Sequence, residues 1–185
     1  MKQIKFKKIS KRLNAYQLKK ILLILKLENS IAILANLSKK TIKNYLQIFV
    51  KSKNLELFVI NEKNIIGYAL LARKPKFLIY NFDKLKLNIF FDLLFSLKFI
   101  SLFNIFISIL NFDSIMISKS NKKIIIDSFN LNLFGIEKKY QSKGLGEKFL
   151  KYILKNSKFK SRYITCEADN IRSSSFYQKK LDFKN

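Results

Sequence analysis

The chain contains no histidine and no tryptophan, and it has a single cysteine, Cys166, and a single proline, Pro75. Without imidazole, no histidine can serve as a catalytic base, a nucleophile or a metal ligand. One thiol cannot form an internal disulfide, and no cluster of cysteines predicts a zinc site. We therefore expect a protein of the reducing cytoplasm whose chemistry uses no bound metal.

Acidic residues are also scarce, with 12 Asp and Glu against 37 Lys and Arg, which gives a net charge of +25. Such an excess is typical of proteins that bind a polyanion. Compositional drift explains it equally well, because Lys, Ile, Asn, Phe and Leu dominate the chain, as expected from an AT-rich genome. No zinc finger, aromatic RNA-binding pattern or heptad array accompanies the lysines, so we expect no specific nucleic-acid partner.

Glycine is rare, yet two of the four glycines lie within three residues, at Gly144 and Gly146. A strand-like pattern over residues 130–136 precedes them, and a helical pattern begins at Leu145. A strand that turns through glycine into a helix leaves backbone N–H groups unpaired at the positive end of the helix dipole. This arrangement predicts a phosphate-binding turn.

The periodicity of apolar residues predicts the other elements. They are a strand over 5–10, a helix over 13–27, a helix capped by Ser38, a hairpin of 55–60 and 65–72, a strand over 124–136, a helix ending near 156, a strand over 163–167 and a helix over 171–180. This order predicts one α/β domain over residues 1–185, with helices flanking a mixed, mostly antiparallel sheet.

Residues 75–123 form an apolar insertion before the central strand. The run 88–110 is long enough for a transmembrane helix. Asp92 and Lys98 oppose this, because ionisable residues are costly in lipid. A crossing there would also separate two halves of one sheet. We expect one or two buried helices, broken near Ser101 or Asn104, with peripheral membrane contact as the alternative.

The run Tyr140-Gln-Ser-Lys-Gly-Leu-Gly146 resembles the signature loop Gln/Arg-x-x-Gly-x-Gly/Ala of the GNAT superfamily of acyl-CoA-dependent N-acyltransferases. Residues 170–183 contain Asn170, Phe176 and Tyr177, and they resemble that superfamily's asparagine-plus-Phe-Tyr-x-Lys-x-Gly-Phe segment. Residues 65–71 are similar to its glycine-carrying hairpin strand. The resemblance implies a GNAT-like fold and acetyl-CoA as co-substrate.

The resemblance also implies roles for particular residues. The diphosphate of coenzyme A would lie against the backbone of Gln141, Ser142, Lys143, Gly144, Leu145 and Gly146. The backbone of Ile136 and the side chain of Asn170 would contact the pantetheine arm, although Asn170 is equally explained as a helix N-cap. Tyr177 would protonate the departing thiolate, although a core aromatic residue is the alternative. The neighbouring lysines suit the phosphates: Lys138, Lys139, Lys143, Lys148 and Lys151.

The general base is left open. Members of the superfamily place a carboxylate at the positions of Thr165 or Asn130, and neither residue is acidic here. Glu167, two residues further along the same strand face, is the first candidate. Asp127 and a mechanism through ordered water are the alternatives, whereas Glu137 is expected to be a solvated surface charge.

Two departures from the superfamily pattern affect the expected structure. Ser142 stands where glycine is usual, so we expect this serine to keep a negative φ. The chain stops at Asn185, where the superfamily usually adds two more strands. We therefore expect a short C-terminus that leaves the strand over 163–167 with an unpaired edge. A truncated reading frame, a short variant of the superfamily and a partner that completes the sheet, such as a second copy in a homodimer, are the alternatives.

These observations predict an acetyl-CoA-dependent N-acetyltransferase that acts on the primary amine of a small molecule. An amino-sugar nucleotide is the acceptor that the apolar insertion favours by resemblance, and polyamines fit less well because the protein is strongly basic. The alternative is a catalytically silent, basic GNAT-like module that binds nucleic acid or an anionic membrane.

Overall fold

The computed structural model describes residues 3–29, 33–73, 85–95, 129–159, 164–166 and 175–177. These residues contain a five-stranded sheet in which the strands follow chain order. The strands are β1 Lys5–Ile9, β2 Leu55–Asn61, β3 Ile65–Ala72, β4 Phe129–Ile136 and β5 Ile164–Cys166. The first four pair antiparallel, and β5 pairs parallel to β4. The predicted mixed, mostly antiparallel sheet is therefore confirmed.

Among the described residues, the longer helices beside the sheet are α1 Ala15–Glu28, α2 Lys39–Lys51, α3 Lys86–Phe95 and α4 Leu145–Asn156. Within the described ranges, none of them is both long enough and apolar enough to cross a bilayer. The predicted N-cap Ser38 is confirmed, since its side chain accepts from the backbone N–H of Thr41. The predicted start of α1 at residue 13 is wrong, because Asn14 forms a reciprocal capping box with Gln17 and ends the extended segment.

The sheet has an apolar core on each face. On one face, α1 and α2 bury Ile21, Leu25, Tyr45 and Phe49. On the other face, the core includes Phe149, Leu150 and Ile153 of α4. Every residue of β3 is buried, which explains why this strand reads as a continuous apolar run without alternation.

β4 contains a bulge that its sequence pattern does not reveal. Leu70 lies opposite Leu133 and Leu71 lies opposite Leu131, so Asn132 has no opposing residue on β3. The extra residue inverts the alternation of side chains. Leu131 therefore packs in the α4 core and Leu133 in the α1–α2 core, although they are two residues apart.

The C-terminus of α4 is anchored by a buried carboxylate. Glu56 of β2 is 2% exposed, and it accepts hydrogen bonds from Ser157 Oγ at 2.5 Å and the Lys158 N–H at 3.2 Å. Lys8 of β1 forms an ion pair with it. A buried carboxylate is tolerated when it is paired and hydrogen-bonded in this way. The contacts fix α4 across the sheet and so hold its N-terminus beside the end of β4.

The described part of the predicted insertion is helical, as expected. α3 contacts the N-terminus of α2, because Asp92 Oδ2 accepts from the Ser38 N–H at 2.8 Å. Ile89 is buried in the α1–α2 core, whereas 74% of Leu87 is exposed. Predictions for Pro75, Lys98, Ser101, Asn104 and residues 124–128 lie outside the described residues.

Candidate functional site

The turn between β4 and α4 has an open surface at its glycine. A short 3-10 turn, Lys138–Tyr140, follows β4, and Gly144 is the N-cap of α4 with φ 70° and ψ 3°. A Cβ added at Gly144 would meet no atom within 4 Å. Since an α-helix cannot pair its own first N–H groups, those of Leu145 and Gly146 face away from the helix. Together with the helix dipole, they form a seat for an anion.

Ser142 adopts the left-handed conformation, with φ 60°. The expectation that this serine keeps a negative φ is therefore wrong. A non-glycine residue in this region costs about 1 kcal/mol or more, and such strain is concentrated at functional turns. The turn thus contains two left-handed positions, Ser142 and Gly144, separated by Lys143.

Gly146 has a different role from Gly144. A Cβ at this position would lie 3.2 Å from Cζ of Phe176, so the absent side chain makes room for that ring. The same ring stacks on Phe134 of β4 at a centroid distance of 6.0 Å. Phe176 is half-buried, and it joins the helical segment 175–177 to the first turn of α4.

Gln141 is already engaged within the protein. Its backbone N–H donates to the Lys138 carbonyl at 3.2 Å. Its side-chain Nε2 donates to the carbonyl of Ile136 and to Oε2 of Glu28, both at 2.6 Å. Gln141 therefore shapes the turn, and the remaining anion-binding candidates of the predicted set are the backbone groups from Ser142 to Gly146.

The same turn has two carboxylate partners that the sequence pattern did not indicate. Glu28, the last residue of α1, accepts from the Lys138 N–H at 3.2 Å as well as from Gln141. Glu62, between β2 and β3, accepts from the Tyr140 hydroxyl at 2.5 Å, and this hydrogen bond raises the pKa of Tyr140. Both partners lie far from the turn in sequence, so periodicity could not find them.

Tyr177 lies in the α4 core and is 7% exposed. Its ring makes an edge contact with Phe176 at 5.3 Å. This core also contains Ile136 and Leu145, the residues on either side of the glycine turn. The phenol and the anion seat thus belong to the same side of the sheet.

The two positions for which the resemblance implies a carboxylate carry neutral side chains that bind each other. Asn130 and Thr165 are opposite one another on β4 and β5, and Asn130 Nδ2 donates to Thr165 Oγ1 at 3.1 Å. Glu137 is half-buried, with Lys139 Nζ 3.4 Å from its carboxylate, and this contact raises the pKa of Lys139. The candidate bases Glu167 and Asp127, and also Asn170, lie outside the described residues.

The lysines around the turn differ in whether their side chains form ion pairs or are simply exposed. Lys139 is paired with Glu137, and Lys151 is 2.7 Å from Glu147. Lys138, Lys143 and Lys148 are exposed. Within the described part of the chain, no group of His, Cys, Asp or Glu side chains is arranged to hold a metal ion.

No protein-family profile matches the chain, and no curated protein matches it in sequence. Solved structures do match. An aminoglycoside N-acetyltransferase in complex with CoA aligns over 100% of this chain and 90% of its own length, with a TM-score of 0.59 and 8% identity. The protein has the GNAT fold.

Two further matching structures are described as members of the GNAT family. A protein from Desulfovibrio desulfuricans that is assigned to the GNAT family aligns over 97% of this chain and 84% of its own length, with a TM-score of 0.53 and 11% identity. A GNAT-family acetyltransferase from Streptococcus pneumoniae covers 98% and 88%, with a TM-score of 0.50 and 11% identity. At these identities the likeness concerns the fold.

Proposed function

We propose that this GNAT-fold protein is an N-acyltransferase that moves an acetyl group from acetyl-CoA to the primary amine of a small molecule. The observation that carries the proposal is the open, left-handed Gly144 at the N-terminus of α4, the helix that follows β4. That geometry suits a diphosphate, which needs several main-chain donors and no side chain between them and its oxygens. The CoA complex of a protein with this fold supports the same ligand.

In the proposed reaction, the amine nitrogen attacks the thioester carbonyl carbon, a C–N bond forms and the C–S bond breaks. The amine loses a proton to a base, for which Glu167, Asp127 and ordered water are the candidates. Tyr177 gives its phenolic proton to the departing thiolate and so acts as the general acid. The backbone of β4 near Ile136 and the side chain of Asn170 orient the pantetheine arm.

The acceptor is proposed as a small molecule with a primary amine. One structure with this fold is an aminoglycoside acetyltransferase in complex with sisomicin, with a TM-score of 0.50. An amino-sugar nucleotide combines an amine with phosphates, which the net charge of +25 would attract. We propose a cytoplasmic enzyme that uses no metal, and a homodimer is the proposed assembly.

The net charge also favours a second candidate, a catalytically silent module that binds nucleic acid or an anionic membrane. The two candidates differ in ligand. The enzyme binds acetyl-CoA saturably at one site, whereas the module binds polyanions through many weak contacts that salt removes.

A thermal-shift experiment separates them. Acetyl-CoA is expected to raise the Tm of the wild-type protein, because a ligand that binds the folded state stabilises it. Gly144→Glu places a carboxylate on the anion seat and is expected to abolish this shift. Gly144→Ala introduces the backbone strain without the charge, and Ser10→Glu adds the same charge at an exposed position after β1; both are expected to retain a shift.

The enzyme proposal fails if acetyl-CoA leaves the wild-type Tm unchanged while DNA or anionic vesicles bind in a salt-sensitive manner. It also fails if Gly144→Glu keeps the full shift, because the ligand would then lie elsewhere.

A further inference from the structure

Glu28 connects the C-terminus of α1 to the glycine turn through two hydrogen bonds. Its Oε1 accepts from the Lys138 N–H at 3.2 Å, and its Oε2 accepts from Gln141 Nε2 at 2.6 Å. The same Nε2 donates to the Ile136 carbonyl at 2.6 Å. Because a side-chain amide nitrogen carries two hydrogens, both donors of Gln141 are used, and its orientation is fixed. We call Glu28, Lys138, Gln141 and Ile136 the Glu28 tether.

The position of Glu28 is electrostatically unfavourable on two counts. A carboxylate at the C-terminus of a helix lies at the negative end of the helix dipole. It also lies beside the turn that we propose for a diphosphate, where its charge repels the ligand. The hydrogen bonds of the Glu28 tether offset both effects, which indicates that the carboxylate orders the turn.

The end of α1 is itself fixed against the sheet. Asn29, the next residue, accepts a hydrogen bond from the Tyr68 hydroxyl at 2.8 Å, and both residues are buried. A Cβ at Gly135 of β4 would lie 2.9 Å from Asn29 Oδ1 and 2.9 Å from the Tyr68 ring. Gly135 thus lets α1 approach β4 closely, one residue before Ile136. Glu28 therefore reaches the turn from a rigid support.

We propose that Glu28 is a positioning residue for the diphosphate-binding turn, an inference that rests on the proposed function. It contacts no reacting atom. By fixing Lys138 and Gln141, it sets the path of the chain from the end of β4 to Gly144. That path determines the direction in which the N–H groups of Leu145 and Gly146 point. The affinity for a diphosphate then depends on a residue of α1.

The test compares two ligands on the full chain, CoA and pantetheine, which lacks the diphosphate. Glu28→Ala is expected to weaken CoA binding about tenfold by calorimetry, the effect of losing hydrogen bonds to a charged group. Pantetheine binding, followed by NMR titration, is expected to stay unchanged. Gln141→Ala should act similarly, and the double variant should be no weaker than either single variant, because both act through one contact.

Two further variants separate positioning from charge. Glu28→Gln keeps one acceptor without the charge and is expected to recover part of the lost CoA affinity. Glu147→Ala removes the carboxylate of α4 that pairs with Lys151, and it is expected not to weaken CoA binding.

The outcomes distinguish the two proposals. If Glu28→Ala binds CoA as tightly as the wild type or more tightly, the positioning role is overturned while the proposed function stands. If the variant loses affinity for CoA and pantetheine equally, Glu28 supports the fold in general and the positioning role is overturned. If the wild type binds no CoA, both proposals fail.

Discussion

Tyr177 is buried at 7% exposure, and burial is compatible with a core residue as well as with a general acid. Tyr177→Phe separates the roles, because it removes the hydroxyl and keeps the ring. We expect acetyl-CoA affinity to persist and turnover to fall by about 10²-fold, the usual contribution of a general acid. Thiol release over a panel of amines measures turnover.

Tyr152 provides the matched control for this change. It lies on α4 in the same core, where its ring contacts Phe6 and Phe58. Tyr152→Phe is expected to leave turnover unchanged. If Tyr177→Phe also turns over at the wild-type rate, the phenol has no part in the proton transfer.

At the residue scale, the glycine turn was predictable and its detailed geometry was not. The rarity of glycine in this chain made the spacing of Gly144 and Gly146 informative. The left-handed Ser142 was not predictable, because serine rarely adopts that conformation and local sequence disfavours it. Glu28 and Glu62 bind the turn from distant parts of the chain, so only the folded structure reveals them.

At the scale of elements, the bulge at Asn132 allows the contribution of β4 to folding to be tested apart from its contribution to ligand binding. Deleting Asn132 would restore a regular ladder and leave Leu131 and Leu133 on their present faces. We expect the folded deletion variant to have the circular dichroism spectrum of the wild type. We also expect it to unfold in a single cooperative transition. We also expect it to lose stabilisation by acetyl-CoA, because bulges beside binding sites set the direction of the strand end.

Deletion of Asn130, two residues earlier, is the control, since it leaves the bulge residue in place and shifts the strand register of Phe129. It is expected to reduce stability. An Asn132 deletion that still responds fully to acetyl-CoA would show that the bulge is unrelated to binding.

Asp92 links α3 to the N-terminus of α2 and gives a pH-dependent prediction. Burial raises the pKa of Asp92, but hydrogen bonds from Thr41 and Ser38 outweigh it and lower the pKa below its ordinary value. Because the pKa of Asp92 is lowered in the folded state, its carboxylate stabilises the fold fully above the ordinary carboxyl pKa. This contribution to the free energy of unfolding is lost as the pH falls through the folded-state pKa.

Asp92→Ala is therefore expected to lower the free energy of unfolding by about 1 kcal/mol at neutral pH, as for other lost helix caps. The difference from the wild type should shrink as the solution is acidified. Urea unfolding across the acidic range measures it, with Asn88→Ala, an exposed change on the same helix, as the control. A difference that is constant with pH would exclude the carboxylate charge as its source.

The order of elements was predictable because the hairpin, the capped second helix and the final strand–turn–helix carry strong local patterns. The bulge was missed because the residues of β4 alternate between apolar and polar, as in a regular strand. The apolar core on each face of the sheet agrees with the continuous apolar run of β3, because a strand that is buried on both faces needs apolar residues at every position.

At the scale of the whole molecule, 37 basic residues exceed 12 acidic ones, and the excess positive charge of +25 causes net repulsion in the compact state. Raising sodium chloride from about 0.05 M to about 0.5 M screens this repulsion. We expect the Tm to rise by roughly 2–4 °C, the change that about 1 kcal/mol gives in a domain of this size. Chloride is preferable to sulfate, because sulfate would bind the anion seat. An unchanged or lower Tm would mean that the basic residues are locally compensated.

The most direct measurement is an NMR titration of the isotope-labelled full chain with CoA, which follows the backbone amides of Gly144, Leu145 and Gly146. Main-chain donors that bind the diphosphate predict large, saturable shifts of these amides with CoA and none with pantetheine. Saturation with CoA that leaves the three amides unmoved, or shifts spread over the lysine-rich surface alone, would contradict the account.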